Sequence, residues 1–326
     1  MITEKEIRPT ELFQEYLDLL AVDIVTYFAN SERVPLNCPA CDDAGEPAFD
    51  KLGFAYRECH VCRTLWVSPR PEYEAFAEFY ADSPSSRYWA EIFYPTVESV
   101  RREKLWKPKA RQVAEISEGE HVSFRTVVDI GGGNGVFAEE YRHLSDCEVL
   151  VIEPSRQSAA SCRERGIPVI EAFLEEVTPE QLPEGPSIFT SFELFEHVHD
   201  PRKWLESVAS LMRSQDLLII TTLSGLGLDI RTLWQASSAI APPAHLNFLN
   251  PDAMARISTT VGLEVVRIFT PGVLDMDILR NNVDQITDRF WRAIVESSTE
   301  DELKSWQDFI SAMGRSSHMW SVLRKA

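Results

Sequence analysis

The sequence predicts an α/β protein: a doubly wound, mainly parallel sheet preceded by helices and a small four-cysteine module. Three features carry that expectation. Strand-length apolar runs alternate with helical patterns between about residues 124 and 270. A glycine-rich turn, 131–135, links the first of those runs to the helical pattern after it. Two Cys-x2-Cys knuckles, Cys38/Cys41 and Cys59/Cys62, lie well upstream of both. Strands alternating with helices build βαβ units, and four cysteines in two close pairs build a metal ribbon.

The composition is that of a globular chain able to bury a sizeable core, with 44% of its 326 residues apolar and 25% charged. Lys and Arg total 32 against 51 Asp and Glu, a formal net charge of −19. That balance argues against general attraction to nucleic acid or to an anionic membrane surface. No apolar run approaches the roughly 20 residues that a bilayer span requires. The opening residues Met1 to Glu6 lack a basic segment followed by an apolar stretch, so no signal peptide is expected. Six cysteines are too few for a secreted disulfide scaffold, and two close pairs among them point to metal in a reducing, cytoplasmic setting.

Taken in order, residues 1–33 are an N-terminal helical segment, with Leu12, Phe13, Tyr16, Leu20 and Ile24 near helical spacing over 9–29. Residues 34–72 hold the cysteine module and short strand-like runs such as 65–67. Residues 73–118 read as a helical, aromatic-rich connector or lid that includes Tyr88 and Trp89. The sheet domain occupies 119–326. Its expected strands are 126–130, 148–152, 187–191, 217–222 and 263–269, with a third-strand region at 167–170 and a last short strand at 319–323. Asn250-Pro251 predicts a helix start before 252–260, with Asn as N-cap and Pro in the first turn. Residues about 277–313 predict two further inserted helices, which suit a pocket cover or an oligomer interface equally.

The cysteine knuckles are separated by 17 residues, inside the spacing of a four-cysteine zinc ribbon. Two residues between cysteines let one tight turn aim both sulfurs at the same ion, and two such turns complete a tetrahedron. Four thiolates leave no position for a reactive water, so zinc on Cys38, Cys41, Cys59 and Cys62 is expected to be structural. His60, inside the second knuckle, is a substitute ligand, while Cys147 and Cys162 are isolated and read as core residues. Residues 31–75 hold eight acidic and five basic side chains, a poor grip for phosphate. The module is expected to stiffen a lid or to face a substrate.

Val127-Val128-Asp129-Ile130-Gly131-Gly132-Gly133-Asn134-Gly135 runs from a hydrophobic strand into a helix. Glycines let the backbone turn sharply and approach a ligand with no Cβ in the way. Glu153 ends the next strand, 18 residues after Gly135, where an acid can accept both hydroxyl protons of a ribose. Such a turn alone serves NAD or FAD as well. The dinucleotide fingerprint wants a third glycine where Val136 or Ala138 stands, and alanine is tolerated there, so that reading stays open.

The arrangement more closely resembles motif I of the class I S-adenosylmethionine-dependent methyltransferases, followed by that family's ribose-binding acid. The resemblance implies a seven-stranded, Rossmann-like methyltransferase sheet with S-adenosylmethionine as cofactor. Asp129 with Gly131, Gly132, Gly133, Asn134 and Gly135 would hold the methionine end, and Glu153 the ribose. Ala172 and Phe173 fall where the family places its adenine pocket. The segment 192–201, Phe-Glu-Leu-Phe-Glu-His-Val-His-Asp-Pro, is similar to the stretch after the fourth strand of many small-molecule methyltransferases. That similarity implies Phe192, Glu193 and Leu194 beside the methionine moiety. The cysteine module, continuing through Trp66, Pro69, Arg70 and Pro71, resembles the zinc-binding domain ahead of bacterial methyltransferases of sugar and polysaccharide pathways. The sugar C-methyltransferases share that layout and add a long carboxy-terminal domain that this chain lacks, which opens a different acceptor or methylated atom.

Methyl transfer is an in-line displacement for which the enzyme aligns the acceptor and usually removes its proton. His245, in Pro242-Pro243-Ala244-His245-Leu246-Asn247-Phe248, falls on the loop after the fifth strand, at the sheet edge where open α/β folds bind ligands. The sugar C-methyltransferases carry a Glu-His pair in a comparable stretch, with His as base; here Ala244 replaces the glutamate. His245 therefore reads as a proton acceptor or a loop anchor. Glu196 and His197 form the other candidate acid–base pair, with capping and loop anchoring as the structural alternative. Residues 101–111 carry six basic side chains and one acid, either a grip for a phosphorylated or nucleotide-linked acceptor or a solvated helix face.

The functional expectation is methyl transfer from S-adenosylmethionine to a small-molecule acceptor, a sugar or nucleotide-linked sugar of a polysaccharide or secondary-metabolite pathway. Two alternatives accompany it. One is an RNA methyltransferase that uses the ribbon for recognition, against which the acidic charge argues. The other is a non-catalytic, S-adenosylmethionine-binding assembly protein, against which the glycine loop and Glu153 argue. The pattern carries no signal of oligomeric state.

Overall fold

The computed structural model describes residues 3–326. Its strands, in chain order, begin with β1 (Arg33–Val34), β2 (Glu46–Lys51), β3 (Phe54–Glu58), β4 (Leu65–Val67) and β5 (Arg70–Pro71). There follow β6 (Thr126–Ile130), β7 (Glu148–Ile152), β8 (Val169–Ile170), β9 (Ser187–Phe192) and β10 (Leu217–Leu223). The last three are β11 (Asn247–Phe248), β12 (Leu263–Phe269) and β13 (His318–Lys325). The chain divides into two compact units, each assembled from three stretches. One takes residues up to 98 with 223–254 and 269–319; the other takes 99–222, 255–268 and 320–326.

The second unit is built on a seven-stranded mixed sheet in the order β12-β13-β10-β9-β6-β7-β8. β10, β9, β6, β7 and β8 pair in parallel. The runs Val127, Val128 and Ile130, then Leu217 to Ile220, are buried along their length, as a parallel sheet covered on both faces requires. Numbered within the sheet, the order is 3-2-1-4-5-7-6, so the winding reverses between β6 and β9. The crevice outside the carboxyl ends of those two strands is the switch point at which open α/β sheets bind ligands. This is the α/β architecture that the sequence predicts. β8 is shorter than the expected 167–170 run because Pro168 has no amide hydrogen to give a ladder.

In the first unit the helix Thr10–Phe28 lays Leu20, Ile24 and Phe28 against Phe54, Tyr56, Leu65, Phe76 and Phe79. β2, β3 and β4 form an antiparallel ladder, and β11 adds to β4. The cysteine module is therefore completed by residues far downstream. Three short strands cannot by themselves bury Tyr56, Leu65, Trp66 and Val67, and Leu246 and Phe248 supply the missing wall. This partition differs from a division at 118/119 with 119–326 as one domain: 223–254 and 269–319 cluster with the amino-terminal residues.

The inserted region holds three helices, Asp275–Asn281, Arg289–Ser297 and Glu300–Ala312, where two were expected. Asp288 creates the extra break, its Oδ1 accepting from the amides of Phe290 and Trp291 as an N-cap. Met276, Leu279, Val295, Leu303 and Ile310 give these helices a core of their own. The helix Pro251–Thr260 starts where the sequence places it, with Asn250 Oδ1 accepting from Ala253 N at 3.1 Å. Among the described residues, no helix is long and apolar enough to cross a membrane.

Candidate active site

In the second unit, β6 delivers Asp129 to the switch point and the chain turns through 131–135 into the helix Val136–Arg142. Gly131, Gly133 and Gly135 have φ of +68°, +55° and +75°, the left-handed region that glycine enters without strain. Gly132 is limited by space instead. A Cβ there would lie 2.6 Å from Asp129 Oδ2 and 2.9 Å from Val151 Cγ1. Gly132→Ala is therefore expected to destabilise the fold by about 1–3 kcal/mol through overpacking, read as a lower urea midpoint. An unchanged midpoint would mean that the Asp129 carboxylate can step aside.

Asp129 is buried and its Oδ1 accepts from Thr190 Oγ1 at 2.8 Å. Burial pushes its carboxyl up to about 7. Glu153, just past β7, accepts from Gly133 N at 2.9 Å through Oε2 and from Ser155 N at 2.9 Å through Oε1. Burial raises its pKa while both amides work against the rise. A carboxylate has about four acceptor positions, so two amide bonds leave room for a diol. Beside it, a Cβ built on Gly133 would meet nothing within 4 Å, which makes the loop an open cradle next to an acid. Cys162 lies beneath that cradle, its thiol donating to Gly133 O at 3.2 Å. Asn134 and Ala172 are half-buried and Phe173 is exposed, just past β8.

Phe192 ends β9, and Glu193 follows with φ +51°, an uncommon conformation for a residue with a side chain. Its amide donates to Thr221 O at 2.9 Å. Its carboxylate accepts from Lys109 and from Thr221 Oγ1. Lys109, on the helix Lys107–Glu118, is almost fully buried, with its ammonium 5.3 Å and 5.1 Å from the ring centroids of Trp106 and Phe192. Leu194 covers the first glycine of the loop, since a Cβ on Gly131 would meet its Cδ2 at 2.7 Å. Glu196 is buried, accepts from Thr222 Oγ1 at 2.8 Å, and is pushed up to about 8 by burial and by the Glu193 carboxylate. His197 is half-buried, with its amide on Leu194 O.

Lys109 was hidden in a run that reads as an outward basic patch. The signal that could have found it is helix phase, because Lys109, Ala110 and Val113 share the buried face. The same run is paired internally elsewhere. Arg102 bridges Glu139 and Glu140 at 2.7 and 2.6 Å, and Lys107 pairs with Glu103.

In the first unit the four knuckle sulfurs converge. Cys38 Sγ lies 3.5 Å from Cys62 and 3.6 Å from Cys41, and Cys41 lies 3.2 Å from Cys59 and 3.6 Å from Cys62. None is in a disulfide. Zinc with about 2.3 Å bonds to four sulfurs would hold them roughly 3.8 Å apart, so these residues fit that ion. The Cys38 hydrogen bond holds the Cys62 thiol below its ordinary value. His60 turns instead to Asp43, with Nδ1 at 3.1 Å from Oδ1. His245 is half-buried, and its Nδ1 lies 2.6 Å from Ala239 O. A carbonyl only accepts, so Nδ1 carries the proton and Nε2 is the nitrogen able to take one.

Residues 99–268 match the protein family described as a methyltransferase domain, just over half of the 326 residues. A ubiquinone biosynthesis O-methyltransferase of Cupriavidus pinatubonensis is 26% identical over 161 residues, covering 44% of this chain and 62% of that protein. The match thus spans less than two thirds of the relative's length. Among solved structures, the plantazolicin methyltransferase BamL, in complex with a triazolic desmethylPZN analog and SAH, superposes with a TM-score of 0.50. It is 15% identical, and the match covers 77% of this chain and 94% of that one. An Archaeoglobus fulgidus SAM-dependent methyltransferase gives 0.48 at 18% identity, covering 72% and 100%. At 15% identity the likeness to BamL speaks to fold alone.

Proposed function

Because the chain belongs to the methyltransferase-domain family, we propose that it is an S-adenosylmethionine-dependent methyltransferase acting on a small-molecule acceptor, narrowed to a sugar or nucleotide-linked sugar of a polysaccharide or secondary-metabolite pathway. The observation that carries the cofactor reading is the Glu153 carboxylate tied to the Gly133 amide beside an open glycine cradle at the sheet's switch point. In this reading Glu153 takes the ribose hydroxyls. Asp129, Gly131, Gly132, Gly133, Asn134 and Gly135 hold the methionine end with Phe192, Glu193 and Leu194, and Ala172 and Phe173 flank the adenine.

When bound, S-adenosylmethionine supplies a methyl group on a sulfonium. The chain's own task is to align the acceptor and to take up its proton. His245 is the proposed acceptor of that proton, through Nε2. Glu196 keeps its proton up to about pH 8, so at neutral pH it serves as a donor or neutral hydrogen-bond partner, with His197 beside it in sequence. Zinc on Cys38, Cys41, Cys59 and Cys62 would be structural, because four thiolates close its coordination shell. Three supports favour a small acceptor. The named relative acts in the biosynthesis of a small molecule, the cysteine module resembles that of sugar-pathway enzymes, and Arg102, Lys107 and Lys109 are engaged by acids of their own unit.

The test is transfer of labelled methyl from S-adenosylmethionine into a lysate separated into small metabolites, polysaccharide, RNA and protein. Label in metabolites or polysaccharide is the expected result. Label confined to RNA or protein would overturn the acceptor assignment.

A further inference from the structure

We infer that the four-cysteine module is the device that aims His245, with Tyr56 and Arg70 as positioning residues that carry the order of the knuckles to the histidine loop. The inference deepens the proposed role of His245 as proton acceptor and rests on that reading for its functional meaning.

The connection can be followed atom by atom. β4 leaves the second knuckle directly, and it pairs antiparallel with β11, Trp66 opposite Asn247 and Leu65 opposite Phe248. The Val67 amide donates to Leu246 O at 3.0 Å. Tyr56, on β3 and 1% exposed, donates its phenol to His245 O at 2.8 Å. Arg70, 2% exposed, donates to Leu246 O at 3.2 Å and to Asn247 Oδ1 at 2.7 Å. At the far end of the loop, Asn250 Nδ2 donates to the carbonyl of Cys62 itself at 2.6 Å. The backbone carbonyls of His245 and Leu246 are thus both held from the ribbon side, while Ala239 O fixes the ring through Nδ1.

β11 is two residues long, too short to set its own register. Its order is borrowed from β4, which pairs with β3 and begins three residues after Cys62. Metal held by four thiolates would tie the two knuckle turns together, and its binding free energy adds to the stability of the fold that presents them. Metal on the four thiolates would therefore stabilise the frame in which Nδ1 of His245 is pinned as the proton carrier. The proton on an unpinned imidazole moves between its two nitrogens.

The test uses the zinc-loaded chain of 326 residues with 15N-labelled histidine, whose long-range 1H–15N spectra report which ring nitrogen carries the proton. His245 is assigned by the resonance lost in His245→Asn. The expected result is a pure Nδ1–H form in the zinc-loaded protein that becomes a tautomer average after zinc is stripped with EDTA, and also in Tyr56→Phe with zinc retained. Amide exchange across residues 239–250 should quicken by about tenfold or more in both cases, while S-adenosylhomocysteine affinity stays within about twofold. Should stripping unfold the protein, Tyr56→Phe and Arg70→Met with their thiolates loaded carry the test instead. An unchanged Nδ1–H form in both variants would overturn the inference. Transfer that proceeds unimpaired in His245→Asn would remove the base reading and leave the positioning result to stand or fall on the spectra.

Discussion

Glu196→Gln is expected to abolish a large share of the stability loss that the wild-type fold shows between about pH 5 and pH 8. Glu196 is 2% exposed, accepts from Thr222 Oγ1, and sits near the Glu193 carboxylate. Those surroundings push its carboxyl from an ordinary 4.5 up to about 8. Below the lower value the folded and unfolded chains both carry the proton. Between the two values the unfolded chain has released it and the folded chain has not, so rising pH favours unfolding. At about 1.4 kcal/mol per pH unit for one proton, the loss reaches on the order of 4 kcal/mol by pH 8. Asp129, pushed up to about 7, adds a loss of the same sign that begins at lower pH. Glutamine keeps the shape and can still accept from Thr222, and it does not titrate. Urea midpoints at three pH values should fall steeply for wild type and more gently for the variant. Parallel curves would sink the assignment of the titration to Glu196.

The parts of this molecule that could be read in advance are those written locally. β6, the glycine loop and Glu153 follow one another within a single βαβ unit, so spacing alone put the acid near the loop. Asn250 and Pro251 mark a helix start in two letters because capping is decided by the nearest few residues. The closure of the cysteine module was not legible, since it depends on Asn247 and Phe248 pairing with Trp66 and Leu65 across most of the chain. Two residues carry too little periodicity to announce a strand. Lys109 was obscured for a related reason. Its burial follows from helix phase, and its partner Glu193 presents its carboxylate from a left-handed backbone that no composition rule anticipates. That His245 lies on a loop was readable, whereas the Ala239 carbonyl that selects its tautomer belongs to a loop without regular pattern.

Glu153→Ala is expected to weaken S-adenosylhomocysteine binding by about a hundredfold or more in calorimetry. Two ribose hydroxyls donating to a buried carboxylate form charge-assisted hydrogen bonds of roughly 1.5–3 kcal/mol each, and each 1.4 kcal/mol is tenfold in affinity. Alanine also releases the Gly133 and Ser155 amides, so part of any loss comes from a looser loop. Glu153→Gln separates the two contributions. Its single carbonyl oxygen can still accept from Gly133, but its amide offers hydrogens where the ribose needs an acceptor, so affinity should fall in glutamine nearly as far as in alanine. Hydrogen exchange at Gly133 then reports on the loop alone. Rapid Gly133 exchange in alanine together with full S-adenosylhomocysteine affinity in glutamine would make Glu153 an anchor of the glycine loop, and the ribose would have to be held elsewhere.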